Sequence, residues 1–365
     1  MAGTTVPKGD IVDQDIQALY REHIRRKILI GCVLFVLLCL GAVCSLRIGS
    51  YPLTFPEIFH ALFASSKDVV WHIVWNIRLP RILAALLAGA CLGVAGTAMQ
   101  NVLRNPLGSP FTLGISQGAA FGAAFAIIIL GAGSLLAGGD NEVSVRSPYI
   151  LVASAFGGSL ITVAALIILS TVRRLSPATL ILAGVALSSF FGAATMLLQY
   201  FASDIQVAAA VFWTFGDLGK AQWKELGLMS IILVPVCAYF VWKRWHFNAM
   251  LWGDDTAQSL GASPYRLRLV SLVLAALVSS VTTAFLGIIG FVGLIAPHMV
   301  KMIVGEDHRF LLPYSAMGGG LLLLISDALA RTAIAPVVLP VGIVTSFAGV
   351  PLFLYLILTH KGIRS

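Results

Sequence analysis

The sequence predicts an all-α, polytopic membrane protein with about ten transmembrane helices in a tightly packed bundle. Three observations carry that prediction. Only 11% of the 365 residues are charged and 58% are hydrophobic, against about 25% charged in soluble domains. Mean hydropathy is +0.93. The 24 Lys and Arg and the 16 Asp and Glu cluster between long apolar runs. A water-soluble globule of this length could not cover so much apolar surface, so lipid must serve as solvent.

Residues 1–27 are polar, with Asp10, Asp13, Asp15, Arg21, Glu22, Arg25, Arg26 and Lys27, and read as a short cytoplasmic segment. The apolar run behind them lacks a small-residue cleavage site. It reads as an uncleaved first span, not a signal peptide. A crossing needs about 20 apolar residues. Uncharged runs bounded by charges, Pro and Gly then place spans near 28–46, 80–103, 111–131, 149–172 and 179–200. Further spans fall near 222–242, 266–286, 291–304, 312–330 and 337–358. Pro80 suits the first turn of the second span, where its missing N–H costs nothing. The glycines of "GIIGFVG" (residues 287–293) let the chain turn between the seventh and eighth spans. Short helical pieces are expected within 52–64 and 203–215. Residues 28–365 thus form one ten-helix domain.

Five plus five spans suggest an inverted repeat, because an odd number of crossings per half makes the second half enter from the opposite face. Each half carries a Gly-rich segment followed by a Pro-bearing break, Gly89 to Pro106 and Gly287 to Pro297. Gly89 with Gly93, and Gly114, Gly118 and Gly122, recur at helical spacing and predict close backbone approach. Ten spans put both termini on one side. With the termini cytoplasmic, the inner face collects 16 of the 24 Lys and Arg and the outer face 8, which the positive-inside rule favours. The net charge of +8 then fits juxtamembrane positive charge better than nucleic-acid binding.

Several function classes lack their chemistry. No GxxxxGK[ST] phosphate loop occurs, nor HExxH, GxSxG or paired intramembrane carboxylates. A membrane enzyme would need such a constellation. Nearly every ionisable residue lies at a helix end, which counts against a proton- or sodium-coupled carrier with a midplane ion site. His298, the one histidine well inside a span, reads as a packing residue. His60 and His72 lie on the outer side, where they could approach a metal-containing substrate. Cys32, Cys39, Cys44, Cys91 and Cys237 all sit in apolar runs without CxxC spacing and read as small hydrophobes. No catalytic residue, bound metal or cofactor is expected in this chain.

Three polar constellations remain. Arg78 and Arg81 flank Pro80 at the outer end of the second span, three residues apart. Arg331 stands at the outer end of the ninth, four residues after Asp327. They read either as interfacial side chains with an Asp327–Arg331 intrahelical pair, or as a cationic platform for an acidic partner outside the membrane. The stretch 248–263, "NAMLWGDDTAQSLGAS", lies on the cytoplasmic side. Asp254, Asp255 and Thr256 can begin a short helix, Ala257 and Leu260 form its apolar side, and Gly261 stops it. The alternatives are a solvated loop and a docking helix for a cytosolic partner. In "RRLSPATLILAG", Ser176 and Pro177 form a tight turn at a cytoplasmic helix end, either a plain connector or a gate.

Six blocks together carry a resemblance: "IRLPRILAALLAG", "AMQNVLRNPLGSPFTLGISQGAAFG", "LAGVALS", "WGDDTAQSLGAS", "GFVGLIAPHMVKMIVGEDHRFLLP" and "LPVGIVTSFAGVPLFLYLI". From about residue 28 to the C-terminus the chain resembles the FecCD-type permease subunits of bacterial ABC importers for iron chelates, haem and cobalamin. The polar N-terminus is longer than in that family, and "NPLGSP" lacks an acidic residue often found before its last Pro. The resemblance implies a homodimer in the lipid of the cell (inner) membrane, with its path along the two-fold axis. Two cytosolic ATP-binding-cassette ATPase subunits, holding ATP and Mg, would bind below, and an extracytoplasmic substrate-binding protein would dock above. It implies that Arg78, Arg81 and Arg331 face acidic residues of the binding protein. Trp252, Gly253, Asp254, Asp255, Ala257, Leu260 and Gly261 would rest on the ATPase. Ser176, Pro177, Ala178 and Thr179 would line the cytoplasmic gate. The cargo implied is a ferric siderophore or haem, with cobalamin as the alternative.

Overall fold

Uninterrupted helix formers set the architecture. The computed structural model describes residues 8–49, 51–63, 68–132, 148–173 and 177–359. Among these there is no strand beyond two isolated bridges. The helices are, in order, α1 (Lys8–Arg47), α2 (Phe55–Phe63), α3 (Val69–His72), α4 (Leu79–Val102) and α5 (Ile115–Ile128). Then come α6 (Pro148–Arg173), α7 (Pro177–Tyr200), α8 (Asp204–Thr214), α9 (Trp223–Trp242) and α10 (Arg244–Leu251). The chain closes with α11 (Asp254–Ser259), α12 (Pro264–Leu286), α13 (Val292–Val304), α14 (His308–Thr332) and α15 (Val341–Thr359).

The ten expected spans correspond to α1, α4, α5, α6, α7, α9, α12, α13, α14 and α15. Among the described residues, seven helical runs are long and apolar enough to cross a membrane, and Ile115–Ile128, Val292–Val304 and Val341–Pro351 are shorter apolar helices. The chain is therefore a multi-pass membrane protein. The short pieces expected within 52–64 and 203–215 are α2 and α8.

Three boundaries differ from expectation. Helix α1 begins at Lys8 and runs through the polar segment into the first span. No Gly or Pro falls between residues 10 and 30, so nothing there breaks the helix. The second span begins earlier, because α3 and a π-helical turn over Ile73–Arg78 lead into α4 as one run, Val69–Val102. The Leu79 amide reaches back five residues to the Val74 carbonyl. The widened turn accommodates Pro80, which has no amide to donate. Helix α5 starts only at Ile115, after Gly114 in the left-handed region (φ 79°). Pro106 and Pro110 keep the preceding stretch irregular.

Helix α4 is the axis of the bundle. Of its most apolar 18-residue window, 78% is buried, against 11% for α1 and 17% for α7. It packs on α14, α12, α13 and α9. Close approach explains its glycines. A Cβ on Gly89 would stand 2.4 Å from the Gly319 carbonyl oxygen of α14, and one on Gly96 1.6 Å from that of Gly293 in α13. Helices α5 and α6 meet the same way, Gly118 lying against Gly158. The neighbours repeat between the halves: α4 contacts α14 and α13, while α12 contacts α6 and α5. Matching neighbours of this kind are what a five-helix repeat predicts.

Candidate functional site

Polar side chains gather at the two ends of the bundle. At one end the last turn of α1 leaves carbonyl groups that no helical amide can satisfy. Two arginines from other helices fill that need. Arg78 donates through Nη1 to the Leu46 carbonyl and to that of Arg47 (3.1 Å), and through Nη2 to that of Tyr51. Arg331, at the end of α14, donates through Nη1 to the Ser45 carbonyl (3.3 Å) and to that of Ile48. Its Nη2 reaches Ser45 Oγ (2.5 Å). Cations at a helix C-terminus also oppose the negative end of its dipole. Gly49 makes room: a Cβ there would lie 2.8 Å from Arg78 Nη2.

Asp327 holds two of the three arginines from beneath. It is fully buried, accepts from Arg81 Nε at 2.8 Å and pairs with Arg331 Nε at 2.9 Å. The intrahelical pair that the spacing allowed is therefore formed, and α4 is joined to α14 by the other oxygen. Removing one partner from a buried ion pair costs about 3–5 kcal/mol, because the remaining charge is left uncompensated. Arg81 has a second carboxylate neighbour, Asp217, at 3.3 Å from Nη2. The Asp217 side chain is 39% exposed, so this pair is of the surface kind, worth about 0–1 kcal/mol.

Two of the three guanidinium groups lie inside the bundle end. Arg78 is 4% exposed and Arg331 9%. Both are turned inward by backbone carbonyls whose need for donors no sequence motif announces. Arg81 alone reaches the surface through a partly exposed partner. The exposed cations at this end include Arg47, which lies over the Phe55 ring, and Lys224, which lies over Tyr149.

Asp217 sits on a connection sewn to two others. Its amide donates to the Leu286 carbonyl (2.8 Å), Ile288 donates to Thr214 (3.0 Å), and Gly342 donates to Gly216 (3.2 Å). The α8–α9 connection thus binds both the α12–α13 turn and the start of α15. Asp217 Oδ1 also accepts from the Gly219 amide at 2.8 Å, opening a 3₁₀ turn over Leu218–Lys220. Lys220 Nζ closes the end of α8 by donating to the Trp213 (3.0 Å) and Phe215 (2.9 Å) carbonyls. Burial pulls its pKa down to about 8, with Asp217 acting in the other direction.

At the opposite end, α11 is the short helix expected from "DDTAQS". It follows Gly253 (φ 108°), and Gly261 (φ 80°) ends the segment. Asp254, its first residue, is the anchor. Arg268 of α12 holds it with two bonds of 2.8 Å, and Arg104 pairs with it at 2.5 Å. Arg268 Nε also donates to the Val102 carbonyl of α4 (3.0 Å). One carboxylate thereby ties α11 to the ends of α4 and α12. Neighbouring α10 is tied in the same way. Asn101 donates to the Phe247 carbonyl (3.1 Å), and Asn248 donates to Asp307 (2.9 Å). Burial alone would raise the Asp307 pKa, but bonds from Arg309 and Asn248 outweigh it and hold the group at about 2.

Ala257 is buried, as expected, whereas Leu260 is 68% exposed and Trp252 78%. The apolar side assigned to α11 is therefore split. Ala257 packs inward, because the amide of Ala262 folds back to its carbonyl (2.9 Å). Trp252 and Leu260 project outward. A cavity of about 520 Å³ opens beside this end, with Gln100, Arg104, Met250, His298, Lys301 and His308 in its lining. Of the expected gate residues, Ser176 lies outside the described residues, Pro177 opens α7, and Ala178 and Thr179 are exposed. Arg104, Arg268, Asn101, Asn248 and Asp217 were not marked by sequence as site residues. Their one signal was charge or amide chemistry at helix ends in a chain with few polar residues to place.

A model of the FecCD transport family matches residues 36–359. A protein of Methanocaldococcus jannaschii named as an ABC transporter permease is 51% identical over 348 residues, covering 94% of this chain and 98% of the relative. The hemin transport system permease protein HmuU of Yersinia pestis is 40% identical over 217 residues, 60% of this chain and 65% of the relative. A solved structure described as an inward-facing conformation of a metal-chelate type ABC transporter superposes with a TM-score of 0.78 at 32% identity. That match covers 91% of this chain and 99% of the other.

Proposed function

The chain belongs to the FecCD transport family and is a permease subunit of an ABC importer, and from that premise we propose that it carries an iron complex, a ferric siderophore or haem. The hemin-transporting relative supports that cargo. The termini and α11 face the cytoplasm in this reading, supported by the excess of Lys and Arg on that side. The Arg78 end faces outward and receives a substrate-binding protein bearing acidic groups, with Arg78, Arg81 and Arg331 organising the surface. Two copies of the chain form a homodimer. The residues 176–179 at the start of α7 line the cytoplasmic gate. ATP and Mg are held by two separate ATPase subunits, and no cofactor by this chain.

One observation carries the driven-transport reading. Trp252, just before α11, and Leu260, just after it, are exposed to solvent, while Asp254 at the start of α11 is locked to the ends of α4 and α12. A short helix with exposed apolar residues at both flanks and a carboxylate tie to the bundle suits transmission of movement from an ATPase beneath it. Reconstituted with ATPase subunits and cognate binding protein, the permease should show nucleotide hydrolysis stimulated by ferric siderophore or haem. Stimulation by cobalamin alone would overturn the iron assignment. Solute uptake by the lone chain in a proton or sodium gradient would overturn the dependence on an ATPase.

A further inference from the structure

We propose that Asp217 is an internal stand-in for a carboxylate of the binding protein, occupying Arg81 until docking replaces it. The inference rests on the docking reading above and names the residue that makes docking conditional. The two carboxylates on Arg81 differ in kind. Asp327 is buried, shared with Arg331 and close, whereas Asp217 is 39% exposed and farther away at 3.3 Å. An arriving carboxylate can exchange with the exposed group and not with the buried one.

The donor it would meet is under-used. Arg81 Nη2 is buried, and among the described residues no acceptor gives it a well-directed hydrogen bond. Asp217 Oδ1 is instead engaged by the Gly219 amide. Charge points the same way. Among the described residues the three guanidinium groups of Arg78, Arg81 and Arg331 pair with two carboxylates, Asp327 and Asp217, so a positive excess remains for an acidic partner. The connection carrying Asp217 is also the one sewn to the α12–α13 turn and the start of α15. Exchange at Arg81 therefore removes a side-chain tie from a junction of three connections, which is where an outer signal has to enter the bundle.

The test is the affinity of the full permease–ATPase complex, in lipid nanodiscs, for fluorescently labelled cognate binding protein. Asp217→Asn keeps the acceptor for Gly219 and removes the competing charge, so docking should tighten by about threefold or more. Asp217→Glu restores the charge and should return the wild-type affinity. Arg81→Gln should weaken docking. Weakening in Arg81→Gln with unchanged or weaker docking in Asp217→Asn sinks the stand-in and leaves the docking surface standing. Unchanged docking in Arg81→Gln sinks the docking surface itself. Thermal unfolding of each variant verifies the fold, and Asp217→Ser, which also caps a turn, supplies the neutral variant if Asn does not fold.

Discussion

Arg331 shows what one guanidinium does at a helix end. Its planar fork reaches two backbone carbonyls, a serine hydroxyl and a buried carboxylate at once. A lysine would keep the charge and lose the geometry. Arg331→Lys should therefore lower the unfolding temperature in detergent even though no charge changes. Asp327→Asn should cost more, about 3–5 kcal/mol, because Arg81 and Arg331 lose the carboxylate between them. Thermal unfolding compares the two, and equal stability in Asp327→Asn would contradict the pairing. These roles were only half legible in the sequence. Charges at the mouth of an apolar run marked the residues as important, but the Arg81–Asp327 bond joins positions 246 apart. A single chain of letters carries no signal for that pairing, nor for which way a side chain turns.

Helices were far more legible, since lipid demands about 20 apolar residues per crossing and the demand leaves a long uncharged run. The seven long runs follow from it, and Ile115–Ile128, Val292–Val304 and Val341–Pro351 are shorter apolar helices among them. Their contacts do not follow, except where glycine recurs at helical spacing, and there the inference is testable. Gly96→Ala should destabilise by about 1–3 kcal/mol or more, because its Cβ would collide with the α13 backbone. Gly227 of α9 has open space at the same position, so Gly227→Ala should be neutral or stabilise by about 0.5–1 kcal/mol. The segment α11 was readable as a helix from its acidic start and glycine stop, while the outward turn of Leu260 was not, because burial depends on neighbours distant in sequence. Asp254→Asn should change stability by under about 1 kcal/mol, its pairs being partly exposed. It should nevertheless lower transport per nucleotide hydrolysed, measured in proteoliposomes. Full coupling in that variant would show that α11 does not act through its anchor.

Across the whole molecule, α1 lies with one face along α14, where Gly41 meets Leu321 and Leu324, and polar groups hold it at its two ends. Arg78 and Arg331 grip its last turn. Near the other end of its apolar part, Tyr314 donates to the Lys27 carbonyl (2.9 Å), and the Lys27 ammonium lies over the Phe310 ring. Only 11% of its most apolar window is buried. From Lys27 to Arg47 is 20 helical steps, about 30 Å, which equals the thickness of a typical hydrocarbon core. The helix therefore works as a caliper clamped at both jaws: it cannot tilt freely to follow a thinner bilayer, nor slide to meet a thicker one. Substrate-stimulated hydrolysis, measured across lipids of graded acyl length, should peak where the membrane fits that fixed gap and fall on either side.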